Sequence, residues 1–235
     1  MMTRQRQFRA VVVVLLLLPA GWYQPAQGQR EAVNEAEAKA LKTIQKLGGV
    51  IRRDRTAPNS PIRDVVLVDT EATDMDLKEI GALKQLKLLF LGSTKVTDEG
   101  MKALADLKHL DWLSLDDTNV TDTGLKELAR LKQLSILLLD STKVSDMGLK
   151  HLTGLKRLRR LTLENTKVTD KGLRQLTGLT RLRVLHLGGT KVTDAGMKHL
   201  AGLKQLWRLD IRRTMVTKEG VAQLKKALPS LEIAQ

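Results

Sequence analysis

A hydroxyl followed at once by a carboxylate recurs along this chain, as Thr73-Asp74, Thr97-Asp98, Thr121-Asp122, Ser145-Asp146, Thr169-Asp170 and Thr193-Asp194. Such pairs could be a nucleophile beside its base, or the carboxylates could form a ladder of metal ligands. Either chemistry needs its groups to converge on one pocket. Pairs spaced 24 residues apart in one repeated context cannot do so. A structural role fits both residue types: the hydroxyl is an N-cap accepting backbone N–H groups, and the carboxylate meets the positive end of a helix. The histidines, His109, His151, His186 and His199, have no cysteine to join them and no paired spacing on one helix face, which argues against zinc. There is no glycine-rich phosphate loop, no G-x-S-x-G and no Ser/His/Asp set outside the repeated frame. No catalytic residue, metal site or cofactor is therefore assigned, and the chain reads as non-enzymatic. The "NVT" at residues 119–121 fits a glycosylation sequon, but it is also simply one copy of the repeated turn.

The elements that position these pairs follow from the period. Thr217-Lys218 closes the series as a seventh copy, glycine recurs at 100, 124, 148, 172, 196 and 220, and threonine recurs at 70, 94, 118, 142, 166, 190 and 214. Each unit carries L-x-x-L-x-L, as in Leu110, Leu113, Leu115 and Leu158, Leu161, Leu163. The L-x-L alternation predicts a short strand with its leucines on one side, beside a parallel strand from the next unit about 4.8 Å away. Past the Thr-x-Val turn, leucines three apart, such as Leu173, Leu176 and Leu179, predict a short helix with an inward apolar stripe. Stacked units of this kind form an α/β solenoid, with a parallel sheet on the concave face and helices on the convex face. The repeated glycine is expected at a close approach between units, and the threonine column is expected to satisfy buried turn amides.

This frame resembles the leucine-rich repeat, with Thr in the usual Asn/Cys place and Val following. The tail T-x-V-T-D-x-G-L is similar to the bacterial form of the ribonuclease-inhibitor-like and F-box-type repeats, abundant in exported proteins of planctomycete-type bacteria. The likeness covers residues 62–233, and it implies a curved leucine-rich repeat solenoid whose function resides on the concave face.

The ends depart from the frame. Arg4, Arg6 and Arg9, the apolar run at residues 10–18, Pro19 and the small residues of "AQG" at 26–28 predict a signal peptide over 1–28, cleaved before Gln29. An uncleaved membrane anchor is the alternative. Residues 29–61 read as an N-terminal cap, with a helix over 31–47 ended by Gly48-Gly49, an edge strand at Val50 and Ile51, and a loop. Residues 62–235 hold the seven repeats, including the C-terminal cap. The protein is expected to be exported, to periplasm, envelope or exterior, and monomeric. A chain with no cysteine has no disulfides, so packing alone must hold it.

Recognition must use positions the frame leaves free. On the concave face these are Leu88, Phe90, Trp112, Ile136 and Leu138 in the N-terminal half, rimmed by Asp116, Asp117, Asp140 and Glu164. The C-terminal half carries Arg159, Arg160, Arg183, Arg208, Arg212 and Arg213, with His186 and Trp207. The first set is expected to form an exposed apolar contact patch for a protein or peptide, and the arginines to attract carboxylate, sulfate or phosphate. The formal net charge is +14, and Lys78, Lys102, Lys126, Lys150, Arg174 and Lys198 form a basic convex row. That row has no interleaved aromatics, which disfavours nucleic acid. Attachment to an anionic envelope polymer or lipid surface is the alternative to a protein ligand.

Overall fold

The computed structural model describes residues 35–57 and 60–235; the segment read as an export signal lies outside the described residues. Helix α1 (Glu35–Lys46) comes first, followed by strands β1 (Val50–Arg53) and β2 (Ile62–Val66). Of the predicted N-terminal helix, residues 31–34 are outside the described part, and the remainder ends at Gly48, whose φ of 72° suits glycine at a helix end. Seven helices then alternate with seven strands: α2 (Asp74–Ile80), β3 (Leu88–Phe90), α3 (Asp98–Leu104), β4 (Trp112–Ser114), α4 (Asp122–Leu128), β5 (Ile136–Leu138), α5 (Asp146–Leu149), β6 (Arg160–Thr162), α6 (Asp170–Gln175), β7 (Val184–His186), α7 (Asp194–Leu200), β8 (Arg208–Asp210), α8 (Lys218–Ala227) and β9 (Glu232–Ala234). Among the described residues the strands form one nine-stranded sheet in chain order. Only β1 is antiparallel to its neighbour. From β2 to β9 the register is unbroken, so Leu88, Trp112, Ile136, Arg160, Val184 and Arg208 stand opposite one another in turn.

The core is a stack of identical layers. Leu89, Leu113, Leu137, Leu161, Leu185 and Leu209, the central residues of their strands, are fully buried against the helical leucines and methionines, such as Leu125, Leu149 and Met197. Two helices are cut short. After α5 and α6 the chain tightens into 3₁₀ turns at Lys150–Leu152 and Leu176–Gly178. These are the units in which threonine replaces the alanine found at 105, 129 and 201. The Thr153 and Thr177 hydroxyls donate to the carbonyls of Lys150 and Arg174, at 3.0 and 3.1 Å, an alternative to continued helix.

The Thr-Asp pairs are structural, but their geometry corrects the expected division of labour. From Thr97 onward each threonine or serine does cap its own helix, as Thr121 does by accepting the Thr123 N–H at 3.2 Å. Each aspartate, however, directs its carboxylate to the following unit. Asp74, Asp98, Asp122, Asp146, Asp170 and Asp194 each accept the backbone N–H of the next Thr or Ser at 2.7–2.8 Å and its hydroxyl at 2.6–2.7 Å. The repeated glycine makes room for this clamp: a Cβ on Gly172 would lie 2.4 Å from Asp146 Oδ1. The two ends follow the same logic. At the start of α8 Lys218 stands in the aspartate's place, so among the described residues the clamp series runs as far as Asp194 and Thr217. In the first unit Asp76 stands in the glycine's place and accepts the Thr73 N–H and hydroxyl itself.

The threonine column is also corrected. Thr70, Thr94, Thr118, Thr142, Thr166, Thr190 and Thr214 donate their hydroxyls to the carbonyl three residues earlier, at 2.6–2.7 Å, and of these Thr214 also accepts a turn amide, from Val216 at 3.4 Å. Beside each lies a residue in the left-handed region, at Asp69, Ser93, Asp117, Ser141, Asn165, Gly189 and Arg213. Gly, Asn and Asp adopt this conformation most readily, so Arg213 is the costliest member.

Candidate binding face

Strand alternation turns two columns of side chains away from the core. One runs Asp64, Leu88, Trp112, Ile136, Arg160, Val184, Arg208, and the other Val66, Phe90, Ser114, Leu138, Thr162, His186, Asp210. The turns that follow add Asp116, Asp140, Glu164 and Arg212. The face is where the sequence predicts it, but its depth differs.

Phe90 is only 3% exposed and Leu138 only 8%, so neither forms part of an exposed patch. Leu88, Trp112 and Ile136 are half-buried. Side chains on neighbouring strands stand about 4.8 Å apart and shade one another, the bulky ones most. The Phe90 and Trp112 rings illustrate this, packing edge to face with centroids 4.9 Å apart. The N-terminal half is therefore a half-buried apolar floor. The large apolar side chain open to solvent on this side is Trp207, 46% exposed, at the approach to β8.

Of the acidic residues Asp117 is open and Asp140 and Glu164 are half-buried, but Asp116 is not part of a rim. Asp116 is 1% exposed, and its carboxylate accepts the Ser114 hydroxyl at 2.8 Å and the Asp140 N–H at 2.9 Å. Asp140 in turn accepts the Glu164 N–H at 2.7 Å, so the carboxylates tie successive turns together. Burial pushes Asp116 up to about 6, against the pull of these donors and of Arg160. Burial and then the Asp116 charge push Asp140 up to about 7. Glu164 faces His186 Nδ1 at 3.4 Å.

In the basic half, Arg212 is held by Asp210 through a bidentate contact, with Nε at 2.9–3.0 Å from both oxygens. Burial raises the Asp210 carboxyl, but the Arg212 guanidinium and N–H outweigh this and leave it below its ordinary value. Asp210 was not legible as a site residue, although its place between Arg208 and Arg212, in register with His186, is a usable signal. Arg159, Arg183 and Arg208 are exposed, and among the described residues none has an ion-pair partner. Trp112 Nε1 and Arg160 Nε are buried and, among the described residues, have no hydrogen-bond partner. On the opposite side Lys78, Lys102, Lys126, Lys150, Arg174 and Lys198 are all exposed. Among the described residues no group of three His, Cys, Asp or Glu side chains is placed to hold a metal ion, and no helix is long and apolar enough to cross a membrane.

A family model described as a leucine-rich repeat region matches residues 63–234. Internalin C2 from Listeria monocytogenes superposes with a TM-score of 0.56 at 19% identity, over 89% of this chain and 100% of that one, a likeness of fold. A leucine-rich repeat protein from Leptospira interrogans gives a TM-score of 0.53 at 26% identity, covering 67% of this chain and 45% of that longer one. No curated protein sequence matches the chain.

Proposed function

The chain belongs to the leucine-rich repeat family, and we propose that it works as a non-enzymatic, exported scaffold that holds a protein or peptide ligand across its concave strand face. One observation carries this reading: the strand face sets large apolar side chains beside cationic ones, where the repeat frame leaves the residue type free. The clamp columns repeat aspartate, threonine and glycine nearly without change, whereas the outward strand column reads Asp64, Leu88, Trp112, Ile136, Arg160, Val184, Arg208. The hydroxyl and carboxylate pairs that resemble chemistry are occupied in joining one unit to the next. The strand face carries Trp and Arg, residue types that anchor protein contacts.

Export is supported by Arg4, Arg6, Arg9 and the apolar run at 10–18. Amino-terminal sequencing of the protein recovered from the envelope should begin at Gln29.

The binding reading is tested by capture from envelope extract on immobilised protein. Ile136→Glu and Val184→Glu place charges on the half-buried floor, and Lys102→Glu with Lys126→Glu alters only the helical side. The floor variants should lose the captured protein, the helical variant should keep it, and capture should persist in high salt. Capture lost with the helical variant and abolished by salt would instead favour an anionic envelope polymer or lipid surface.

A further inference from the structure

We propose that the C-terminal half of the concave face takes an acidic peptide segment of the partner protein, read by Arg159, Arg183 and Arg208 beside Trp207. This rests on the scaffold reading above and names the chemistry of its ligand.

The sheet brings the backbones of these three exposed arginines side by side. The Arg183 N–H donates to the Arg159 carbonyl at 2.8 Å, and the N–H groups of Trp207 and Arg208 donate to the Arg183 carbonyl at 3.0 and 3.1 Å. The four residues thus lie at the starts of three consecutive strands, across about 10 Å. The column of Arg159, Arg183 and Trp207 begins with Arg63 and Lys87, but those cations face carboxylates: Arg63 stands 3.6 Å from Asp64 and Lys87 3.9 Å from Asp54. Arg212 is likewise held by Asp210. No such neutralisation reaches Arg159, Arg183 or Arg208 among the described residues, although Glu232 stands opposite Arg208 in register. Like charges on adjacent strands oppose one another, so the arrangement calls for an anion from outside.

The shape of the charge selects the class of anion. Earlier in the column Asp111 is exposed and Asp117 is open in the adjoining turn. A polymer charged on every unit, lying along the whole face, would run from the arginines into these carboxylates. A peptide with its acids confined to one short run would not. An extended chain places alternate side chains about 6.6 Å apart, so two or three alternating acids span the arginines. Trp207 then offers the adjoining large apolar contact.

Fluorescence anisotropy with labelled probes tests this: an extended peptide with alternating glutamates, the same peptide with glutamines, a sulfated oligosaccharide of equal charge, and phosphatidylglycerol vesicles. The glutamate peptide should bind and the glutamine peptide should not. Arg159→Glu with Arg183→Glu should weaken binding by at least about tenfold, because unpaired interfacial charges dominate such contacts. Both positions are exposed, so the fold should be unaffected, and Lys102→Glu with Lys126→Glu should leave binding within about twofold. Equal binding of both peptides, no binding of the glutamate peptide, equal loss in the helical variant, or engagement of these arginines by the oligosaccharide or vesicles alone would overturn the assignment. The two readings fail separately: if Arg159→Glu with Arg183→Glu leaves extract capture intact while Ile136→Glu abolishes it, the acidic partner is wrong and the scaffold stands.

Discussion

Gly172→Ala should change sign when the aspartate it shelters is removed. A Cβ at Gly172 would lie 2.4 Å from Asp146 Oδ1 and 3.0 Å from Leu149 Cδ1. The carboxylate cannot simply swing away, because it accepts the Thr169 N–H at 2.8 Å and the Thr169 hydroxyl at 2.6 Å. Hydrogen bonds to a charged acceptor contribute about 1.5–3 kcal/mol each when buried, and this clamp is half-exposed, so Asp146→Ala should cost about 2–3 kcal/mol in total. Gly172→Ala evicts the same carboxylate but gains about 1 kcal/mol of helix propensity, a net loss of about 1–2 kcal/mol. With Asp146 already alanine there is no carboxylate to evict, so Gly172→Ala should be neutral or stabilise by up to about 1 kcal/mol. Urea unfolding of the four proteins in this cycle measures the coupling, with unchanged m-values as the check that cooperativity is retained. The same loss from Gly172→Ala in both backgrounds would refute the clamp as the reason for the glycine.

Stability should also depend on pH through the buried acids of the concave face. Asp116 and Asp140 titrate near 6 and 7 when folded and near 3.8 when unfolded, so their favourable contribution is fully present below about pH 4 and lost as pH rises through the folded values. Asp194 and Asp210 shift downward, through the Thr217 donors and, against burial, the Arg212 contact, so their contribution is lost as pH falls below the ordinary carboxylate range. Unfolding midpoints should therefore peak near about pH 4 and fall on either side. Asp140→Asn, which keeps an acceptor for the Glu164 N–H, should stabilise by about 1–3 kcal/mol at pH 8 and flatten the alkaline side of that curve; a profile unchanged by the substitution would contradict the assignment. Thr142→Val should cost only about 0.5–1.5 kcal/mol by urea melt, because the Leu139 carbonyl that loses the hydroxyl still accepts the Thr142 N–H at 3.3 Å.

The solenoid was legible because one register runs through seven units, so every leucine of L-x-x-L-x-L marks a layer and every Thr-Asp a helix start. What the spacing could not fix was depth and partner. Alternation assigns Phe90, Leu138 and Asp116 to the concave face, but whether a residue there is open depends on the bulk of its neighbours on the adjacent strands. Trp112 against Phe90 and Ser114 beneath Asp116 decide those cases. Likewise the Thr-Asp pair fits a cap within one helix, and only the geometry sends Asp146 to Thr169 in the next unit. Asp76 did carry that information, since the frame breaks where Val50, not an aspartate, stands 24 residues before Asp74 and Thr73 lacks an acceptor from a preceding unit. Asp210 escaped notice because the surrounding arginines dominate the local sequence.

The most direct test of the central claim is site-specific photo-crosslinking in living cells. A photoreactive residue at 136, 160 or 184 on the strand face, and at 102, 126 or 150 on the helices, reports what each side touches. Covalent adducts to one partner protein from the strand positions, and none from the helical positions, is the predicted result. Adducts from the helical positions alone would contradict it.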